Sequence, residues 1–232
     1  MASWNDLPRE RLLADVSLWS ADLSRLGDSI EAVDWFADSY HFDVADAHFT
    51  PTLLFFPDLL AALRPATARP FHVHLMAEKP TALIPAFVEA GADVITIHAE
   101  NGDTEIHGAL EMISAAGKQA GLALSLETPV DASSPWLRDI DVLLLLGTRL
   151  GVKGQGLDAA AVGRMRQASA LLQSYGRRDA VRLVADGAIR TETVPLLHAA
   201  GADVIVPGSL VFGSPAIASL FEWLHGLPGE AV

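Results

Sequence analysis

Short apolar segments recur along the chain, and a longer amphipathic segment separates each one from the next. The apolar segments are rich in Val, Leu and Ile and are bounded by turn residues or charges, which is typical of buried strands. They predict strands at residues 15–20, 40–45, 71–76, 94–98, 120–126, 141–146, 181–185 and 204–206. The amphipathic segments predict helices at residues 23–37, 57–63, 81–90, 104–116, 134–137, 158–175, 192–199 and 215–224.

The alternation of strands and helices predicts a parallel sheet. Ala-Gly-Ala-Asp occurs at residues 90–93 and 200–203, and each copy joins a helix to an apolar strand, as a helix-closing glycine often does. Eight units in roughly 220 residues, without a Pro/Gly/Ser-rich linker, favour a closed barrel over a doubly wound sheet. The first strand also lacks the G-x-G-x-x-G motif of a dinucleotide-binding fold. We therefore expect an α/β chain, a single (β/α)8 TIM barrel domain over residues 1–232.

The composition supplies apolar material for one large core. The chain has 232 residues, of which 50% are hydrophobic and 19% are charged, and this balance excludes a disordered protein. Cysteine is absent. Its absence excludes a disulfide framework, a thiolate-ligated zinc site and a cysteine nucleophile.

The charge and the N-terminal sequence narrow the classes of partner. A net charge of −13 argues against nucleic acid and anionic membranes, which both select basic surfaces. An anionic substrate would therefore be held by local positive features. The first dozen residues lack the apolar stretch of a signal peptide, and apolar runs such as residues 142–146 are too short to span a membrane. We expect a cytoplasmic protein with no membrane partner.

Polar residues gather at the carboxyl ends of the predicted strands, where a barrel places its active site. These residues are Ser17, Ser20, His41, Asp43, Asp46, His74, His98, Glu127, Asp186, Gly208 and Ser209. Side chains alternate along a strand, so His41 and Asp43 share one face. His72 and His74 share a face of the next strand in the same way. Imidazole and carboxylate ligands suit Zn, Mn, Fe or Co, and the candidate ligands are His41, Asp43, His74 and Asp186.

An alternative interpretation applies to each of these residues taken singly. A lone Asp or His at a strand end more often caps a helix or makes an ordinary hydrogen bond than binds a metal. We interpret His48, His107, His198 and His225 in that way. For the four candidate ligands the metal is favoured, because four independent coincidences would otherwise be needed.

Four blocks of sequence resemble one known family. Residues 41–49 (HFDVADAHF) resemble its H-x-D-V-M-D-G-x-F block, and residues 72–76 (HVHLM) resemble D-V-H-L-M. Residues 184–189 (VADGAI) resemble V-D-G-G-I with one residue more, and residues 207–212 (PGSLVF) resemble A-G-S-A-I-F. The blocks keep the family's order from Ser17 to Gly213. The chain thus resembles the ribulose-phosphate 3-epimerases and their allulose-6-phosphate relatives.

This resemblance implies a ribulose-phosphate-binding barrel with one divalent metal ion (Zn, Fe, Mn or Co), a small sugar-phosphate substrate and a homo-oligomeric state. His41, Asp43, His74 and Asp186 match the family's metal ligands. Asp43 and Asp186 match the catalytic acid and base on opposite faces of the substrate. The substrate-binding residues that it implies, with Lys153 added from the phosphate-side loop, are Ser17, His74, Met76, Gly151, Lys153, Gly154, Gly187, Ala188, Gly208 and Ser209.

The chemistry of epimerisation agrees with these residue types. Removal of the C3 proton of a 2-ketose creates an enediolate, whose charge a divalent ion stabilises as a Lewis acid. Inversion requires that a proton return from the opposite face, and two carboxyl groups are needed for that. Glycine amides near the last two strands are the usual phosphate site of a barrel.

The chain departs from the family pattern around the expected site. The loop after the sixth predicted strand reads LGTRLGVKGQ over residues 146–155, where the family has M-T-V-x-P-G-F-G-G-Q. Lys153 and Arg149 in this loop either contact phosphate or are solvated charges. Ala45 and Leu146 replace two family methionines, and we expect the smaller Ala45 to open space over the reacting carbons. Ala47 and Thr52, in place of Gly and Asn, alter the same rim.

These departures leave the sugar open between ribulose 5-phosphate, allulose 6-phosphate and other four- to six-carbon ketose phosphates. A decarboxylase or aldol-type lyase on a related barrel is one rival, but the Asp-x-Lys-x-x-Asp array of the decarboxylase relatives is absent. A non-catalytic phosphosugar-binding barrel is another, and the presence of both proton-transfer carboxylates disfavours it. A purely structural protein would leave the polar strand ends unexplained.

Overall fold

The computed structural model describes residues 4–227, and within them nine strands form one sheet. The strands are β1 (Leu13–Ser17), β2 (Ser39–Asp46), β3 (Leu53–Leu54), β4 (Phe71–Met76), β5 (Val94–His98), β6 (Gln119–Leu124), β7 (Val142–Leu146), β8 (Arg182–Asp186) and β9 (Val204–Val206). All except β3 pair in parallel, and β1 pairs with both β2 and β9. The eight parallel strands therefore close a barrel, and the expected TIM-barrel fold is confirmed.

Helices surround the barrel between the strands. They are α1 (Leu26–Val33), α2 (Pro57–Leu63), α3 (Ile84–Ala90), α4 (Asp103–Ala115), α5 (Ala161–Ser174), α6 (Val194–His198), α7 (Ser209–Phe212) and α8 (Ile217–His225). Short 3-10 helices add Trp4–Asp6, Leu18–Ser20, Arg64–Ala66, Pro80–Ala82, Ala99–Asn101 and Val130–Trp136.

The differences from the sequence prediction lie at ends and in very short elements. The first strand ends at Ser17 rather than at residue 20, because a 3-10 turn follows it. The helix expected at residues 134–137 is part of the longer 3-10 segment Val130–Trp136, which contains Pro135. Proline lacks the N–H that an α-helix interior uses, so this segment stays irregular. The two-residue β3 and the four-residue α7 were not predicted.

The barrel interior is divided between an apolar part and a polar part. Inward-facing residues of β5 to β9 form an apolar cluster of Val94, Ala123, Val142, Leu144, Leu146, Val184, Val204 and Val206, against which Trp4 and Leu7 pack from the N-terminal segment. The inward faces of β1, β2 and β4 instead carry Asp15, His41, His72 and His74, all at most 1% exposed. Most of the deeply buried polar side chains of the interior therefore lie on the side of β1, β2 and β4.

The repeated Ala-Gly-Ala-Asp sequence has a conformational explanation. Gly91 closes α3 at a φ of 100°, and Gly201 stands at the equivalent connection with a φ of 103°. A residue with a Cβ adopts this left-handed conformation only with strain. At Gly201 an added Cβ would also lie 2.8 Å from Ser169 Cβ, so glycine is required twice over.

Candidate active site

Four side chains converge at the carboxyl ends of β2, β4 and β8. The strand register pairs Asp43 with His74, and places Asp186 at the end of β8 beside Leu146 and Val206. One ligand atom from each of His41, Asp43, His74 and Asp186 lies within 4.8 Å of the others. The strands thus bring together all four residues that the sequence predicts as metal ligands.

The spacing of these atoms fits a single divalent ion. Atoms 2.0–2.2 Å from one ion are about 2.8–3.1 Å apart at right angles and roughly 3.3–3.6 Å apart in a tetrahedron. His41 Nε2 lies 3.2 Å from Asp43 Oδ1 and 3.4 Å from His74 Nδ1, and His74 Nδ1 lies 3.3 Å from Asp43 Oδ1. Asp186 Oδ2 lies 3.9 Å from His41 Nε2 and 3.7 Å from His74 Nδ1. Two imidazoles and two carboxylates at these distances suit a transition metal.

The two aspartates of the cluster have opposite electrostatic environments. Burial would raise the pKa of Asp43, but His41 and His74 hold it well below its usual range. Burial raises the pKa of Asp186 to about 7, against the lowering effect of His41 and with added repulsion from Asp43. Near neutral pH in the metal-free protein, one carboxyl is therefore ionised and the other is partly protonated. Such a divergence is typical of an acid–base pair.

The two histidines of the cluster also differ. Burial lowers the pKa of His74 to about 3, so its ring is neutral and has a lone pair for a metal. Burial lowers the pKa of His41 too, but Asp43 and Asp15 on either side of that ring raise it well above its usual range. A cation that binds His41 Nε2 would therefore replace a proton there.

A chain of hydrogen bonds extends outward from His74. Its Nε2 lies 2.8 Å from His98 Nε2, and His98 Nδ1 lies 2.9 Å from Glu100 Oε2. Glu100 in turn accepts from Ser125 and Thr128. If Nδ1 of His74 is the metal ligand, its Nε2–H donates to His98, and His98 Nδ1–H donates to Glu100. His98 is therefore a support of the cluster, and Glu100 rather than Glu127 is the acidic residue associated with it.

A second buried group lies below His41, and the sequence prediction missed it. Asp15 Oδ2 lies 2.9 Å from His41 Nδ1 and 2.7 Å from His72 Nδ1. Burial would raise the pKa of Asp15, but His72 and His41 hold it well below its usual range. One signal was present in the sequence: Asp15 interrupts an apolar strand at a position that shares its face with Leu13 and Ser17.

A cleft lies above the cluster, and every predicted substrate-binding residue lines it. Those residues are Ser17, His74, Met76, Gly151, Lys153, Gly154, Gly187, Ala188, Gly208 and Ser209. Asp43 and Asp186 form part of its floor, whereas His41 is 0% exposed beneath them. Ser17 Oγ donates to Asp43 Oδ2 over 3.0 Å and so orients that carboxylate.

The loop after β7 covers one side of this cleft. Thr52 Oγ1 donates to the carbonyl of Gly151 over 2.7 Å, which ties the loop to the turn between β2 and β3. Lys153 Nζ donates to the carbonyl of Trp19, and its ammonium lies 4.7 Å from the centre of the Trp19 ring. Lys153 therefore reaches across the cleft. Arg149 also lines the cleft, and its side chain is exposed.

The space expected beside Ala45 is not found. Ala45 is 2% exposed and packs with Leu54 and Met76, and it does not line the cleft. Trp19 and Leu150 pack against this group from the two neighbouring loops. The large Trp19 ring thus occupies the side of the cleft on which a methionine was lost.

Other polar strand-end residues have structural partners. Asp46 accepts hydrogen bonds from the backbone N–H groups of His48, Phe49 and Glu78, so it shapes the loop after β2. His198 Nδ1 lies 3.0 Å from the Ala202 carbonyl oxygen, and His225 Nε2 lies 3.1 Å from Asp38 Oδ2. Among the described residues, the groups with metal-ligand spacing contain none of His48, His107, His198 and His225.

Comparisons with known proteins agree with this geometry. The model of the "Ribulose-phosphate 3 epimerase family" matches residues 13–212. The ribulose-phosphate 3-epimerase of Bacillus subtilis is 36% identical over 198 residues, which cover 85% of this chain and 90% of that protein. The ribulose-phosphate 3-epimerase of Rhodobacter capsulatus is 38% identical over 205 residues, which cover 88% of this chain and 87% of that protein.

Solved structures share the architecture at much lower identity. The 3-keto-L-gulonate-6-phosphate decarboxylase of Vibrio cholerae superposes with a TM-score of 0.66 at 16% identity, over 93% of this chain and 99% of that one. The orotidine 5'-phosphate decarboxylase of Pyrococcus horikoshii gives 0.65 at 14% identity, over 92% and 97%. At this level of identity, the structural similarity supports the fold alone. The family match and the curated relatives carry the identity: the chain belongs to the ribulose-phosphate 3-epimerase family and is an isomerase of the epimerase class that acts on carbohydrates.

Proposed function

We propose that this enzyme is a metal-dependent 3-epimerase of a ketose phosphate, either ribulose 5-phosphate or a close relative such as allulose 6-phosphate. The observation that carries the proposal is the cluster of His41, Asp43, His74 and Asp186, in which the pKa values of the two aspartates are shifted in opposite directions. A divalent ion held by these four residues would stabilise negative charge on the two oxygens of an enediolate.

The two aspartates move the proton at C3. Asp43, held ionised and oriented by Ser17, removes the proton from one face of the substrate carbon. Asp186, whose raised pKa favours its protonated form, delivers a proton to the opposite face. In the reverse direction the two residues exchange roles. Because burial excludes water around His41 and His74, the charges of the site are screened less than they would be in water.

Backbone amides and a lysine hold the phosphate group. Gly187, Gly151 and Gly154 have φ values of 94°, 70° and 79° and line the cleft, and we expect the turns at Gly151 and Gly154 to offer backbone N–H groups to the phosphate. Gly208 and Ser209, at the start of α7, line the same end of the cleft. Lys153 reaches this region from the loop after β7 and supplies a positive charge in an acidic protein.

The experiment measures metal content and C3 epimerisation in parallel. We expect about one equivalent of divalent metal in the purified protein, loss of most of it in His74→Ala, and loss of epimerisation by several orders of magnitude in Asp43→Asn and Asp186→Asn. His107→Ala, a change of an exposed histidine on α4, is the matched control and should keep both properties. Unchanged metal content in His41→Ala and His74→Ala, or near-normal turnover in either aspartate variant, would sink the proposal.

A panel of ketose phosphates identifies the sugar, with C3–H exchange in deuterated water as the readout.

Among residues 4–227, no helix is long and apolar enough to cross a membrane. One domain over the whole chain, a cytoplasmic location and a homo-oligomeric state stay predictions.

A further inference from the structure

The buried group below the metal cluster has the spacing of hydrogen bonds. Asp15, His41 and His72 come close enough to be considered as ligands of a second ion. However, Asp15 Oδ2 lies only 2.7 Å from His72 Nδ1, whereas two ligands of one ion stay about 2.8 Å or more apart even at right angles. A hydrogen bond to an ionised acceptor has a typical length of about 2.7–2.9 Å. We therefore interpret this group as a set of hydrogen-bonded residues that holds His41 in place, and not as a second metal site.

The hydrogen bonds of Asp15 admit one assignment. Its Oδ1 accepts from Ser39 Oγ over 2.7 Å, and its Oδ2 faces Nδ1 of both His41 and His72. An ionised carboxylate has no proton to donate, so both rings must donate through Nδ1. His41 then presents Nε2 to the cluster, where it lies 3.2 Å from Asp43 Oδ1. Asp15 thus sets both the orientation of the His41 ring and the nitrogen that it offers.

His72 is held in place on the side of Asp15 that faces away from Ser39, and it packs against His41. Its Nε2 lies 2.7 Å from Thr96 Oγ1, so both of its nitrogens are used. The edge of its ring meets Trp4 with 5.4 Å between ring centres, and it packs against His41 at 4.8 Å. Asp15, His41, His72 and Thr96 are each 0% exposed, and Trp4 is 2% exposed. Water cannot replace any of these partners.

The family block carries a different residue at position 72, and the comparison suggests why Asp15 is present. The block reads D-V-H-L-M, and this chain has His72 at the position of the Asp. The strand register pairs residue 72 with His41, so an Asp there would place a carboxylate beside the same ring. In this chain the carboxylate comes from Asp15 on β1, and His72 stands at the position where the family block has Asp.

We propose that Asp15 is the positioning residue for the metal ligand His41, and that Asp15 and His72 together replace the aspartate of the family block. The inference rests on the proposed metal site, because it assigns a role to residues behind one of its ligands. Supports of this kind typically raise metal affinity about 10–100-fold by fixing the ring and its tautomer.

The test compares four changes for metal affinity in competition with a chelator. Asp15→Ala should lower the affinity about 10–100-fold. The double change Asp15→Ala/His72→Asp should restore most of it, because the carboxylate returns on the adjacent strand. Asp15→Ala/His72→Asn, nearly the same shape without the charge, should stay impaired. Asp203→Asn, which alters a half-buried aspartate bonded to Arg178 and to the backbone N–H of Leu183 at the amino ends of β8 and β9, should lower stability and leave the affinity unchanged.

A second readout needs no metal and separates this inference from the proposed function. In the metal-free protein, nitrogen-edited NMR should show a slowly exchanging Nδ1 proton of His41, which Asp15→Ala abolishes and the aspartate double variant recovers. If that pattern appears in a protein that binds no metal, the positioning role stands and the metal site fails. In a protein that binds metal, equal affinity in wild type and Asp15→Ala, or no rescue by Asp15→Ala/His72→Asp, would overturn the inference. A slowly exchanging His41 proton that survives Asp15→Ala would overturn it in either case.

Discussion

In the metal-free protein, burial of the ionised form of Asp186 lowers the free energy of unfolding. Its pKa of about 7 lies above the ordinary value of 3.8, so the folded state binds a proton more tightly than the unfolded state does. Stability is therefore lost as the pH rises from about 4 through about 7, because the unfolded chain gives up the proton first. The same burial suits Asp186 to its proposed role as an acid, so stability and the proposed function place opposite demands on this residue.

Asp186→Asn should consequently stabilise the metal-free protein at pH 8 and have much less effect at pH 5. An increase of roughly 1 kcal/mol in the free energy of unfolding would raise Tm by about 2–4 °C in a domain of this size. Thermal unfolding in excess chelator measures this shift in Tm. Saturating metal should reverse the order at pH 8, because the wild type then gains a ligand bond. A metal-free variant that is less stable than wild type at pH 8 contradicts this account of Asp186.

Ala188 stores backbone strain beside the carboxyl group of Asp186. Its φ is 54°, in the left-handed region, at a position where the family block has glycine. This conformation costs a residue with a Cβ about 1–2 kcal/mol, of which the greater unfolded-state freedom of glycine returns roughly 0.5–1 kcal/mol.

Ala188→Gly should therefore stabilise the fold by up to about 1 kcal/mol, measured as a higher urea midpoint. Ala86→Gly is the matched control, because Ala86 is exposed within α3 and glycine costs about 1 kcal/mol in a helix interior. Equal destabilisation by the two changes would show that residue 188 carries no strain.

The residues of the site differ in how far sequence could predict them. The four candidate ligands were predictable, because alternation along a strand and the family blocks point to the same positions. Asp15 was not, because its partners His41 and His72 lie 26 and 57 residues away along the chain. The filling of the space near Ala45 by Trp19 escaped prediction for the same reason, since the contact joins β2 to the turn after β1.

At the scale of elements, the loop after β7 forms one wall of the cleft. Thr52 ties it to the β2–β3 turn, and Lys153 contacts Trp19 on the far side. Burial lowers the pKa of Lys153 and nearby Asp43 opposes that effect. When a phosphorylated substrate enters, we expect the lysine to exchange its carbonyl partner for phosphate.

Lys153→Ala should raise KM for the true substrate about ten- to a hundredfold, the usual range for a charged hydrogen bond, with a smaller effect on kcat. The ratio of the two effects comes from steady-state kinetics. Lys118→Ala, next to the amino end of β6 and far from the cleft, should change neither constant. An unchanged KM in Lys153→Ala would show that Lys153 does not contribute to substrate binding.

The strands were predictable because buried parallel strands have continuous apolar sequences. The ends of the strands were harder to predict. Leu18, for example, is apolar and buried, yet it belongs to the 3-10 turn after β1. The short β3 and α7 carry too few residues to produce a periodic pattern. The elements that shape the cleft are thus the least visible in the sequence.

For the whole molecule, closure of the barrel is what makes the site. Ser17 on β1 meets Asp43 on β2 only because β1 pairs with β2, and Asp186 reaches the same point from the opposite side of the ring of strands. Length, alternation and the absence of a linker were sufficient to predict this closure. The interruption of an apolar strand by Asp15 was the one local sign that the polar part of the interior continues below the cluster to Asp15 and His72.

The measurement that tests the central claim most directly is the fate of the C3 hydrogen when the wild-type enzyme converts ribulose 5-phosphate in deuterated water. If Asp43 and Asp186 act on opposite faces, the hydrogen removed by one cannot be returned by the other. The epimer formed in the first turnovers should then carry solvent deuterium at C3 essentially completely. Substantial retention of the original hydrogen in that epimer would contradict the two-aspartate account.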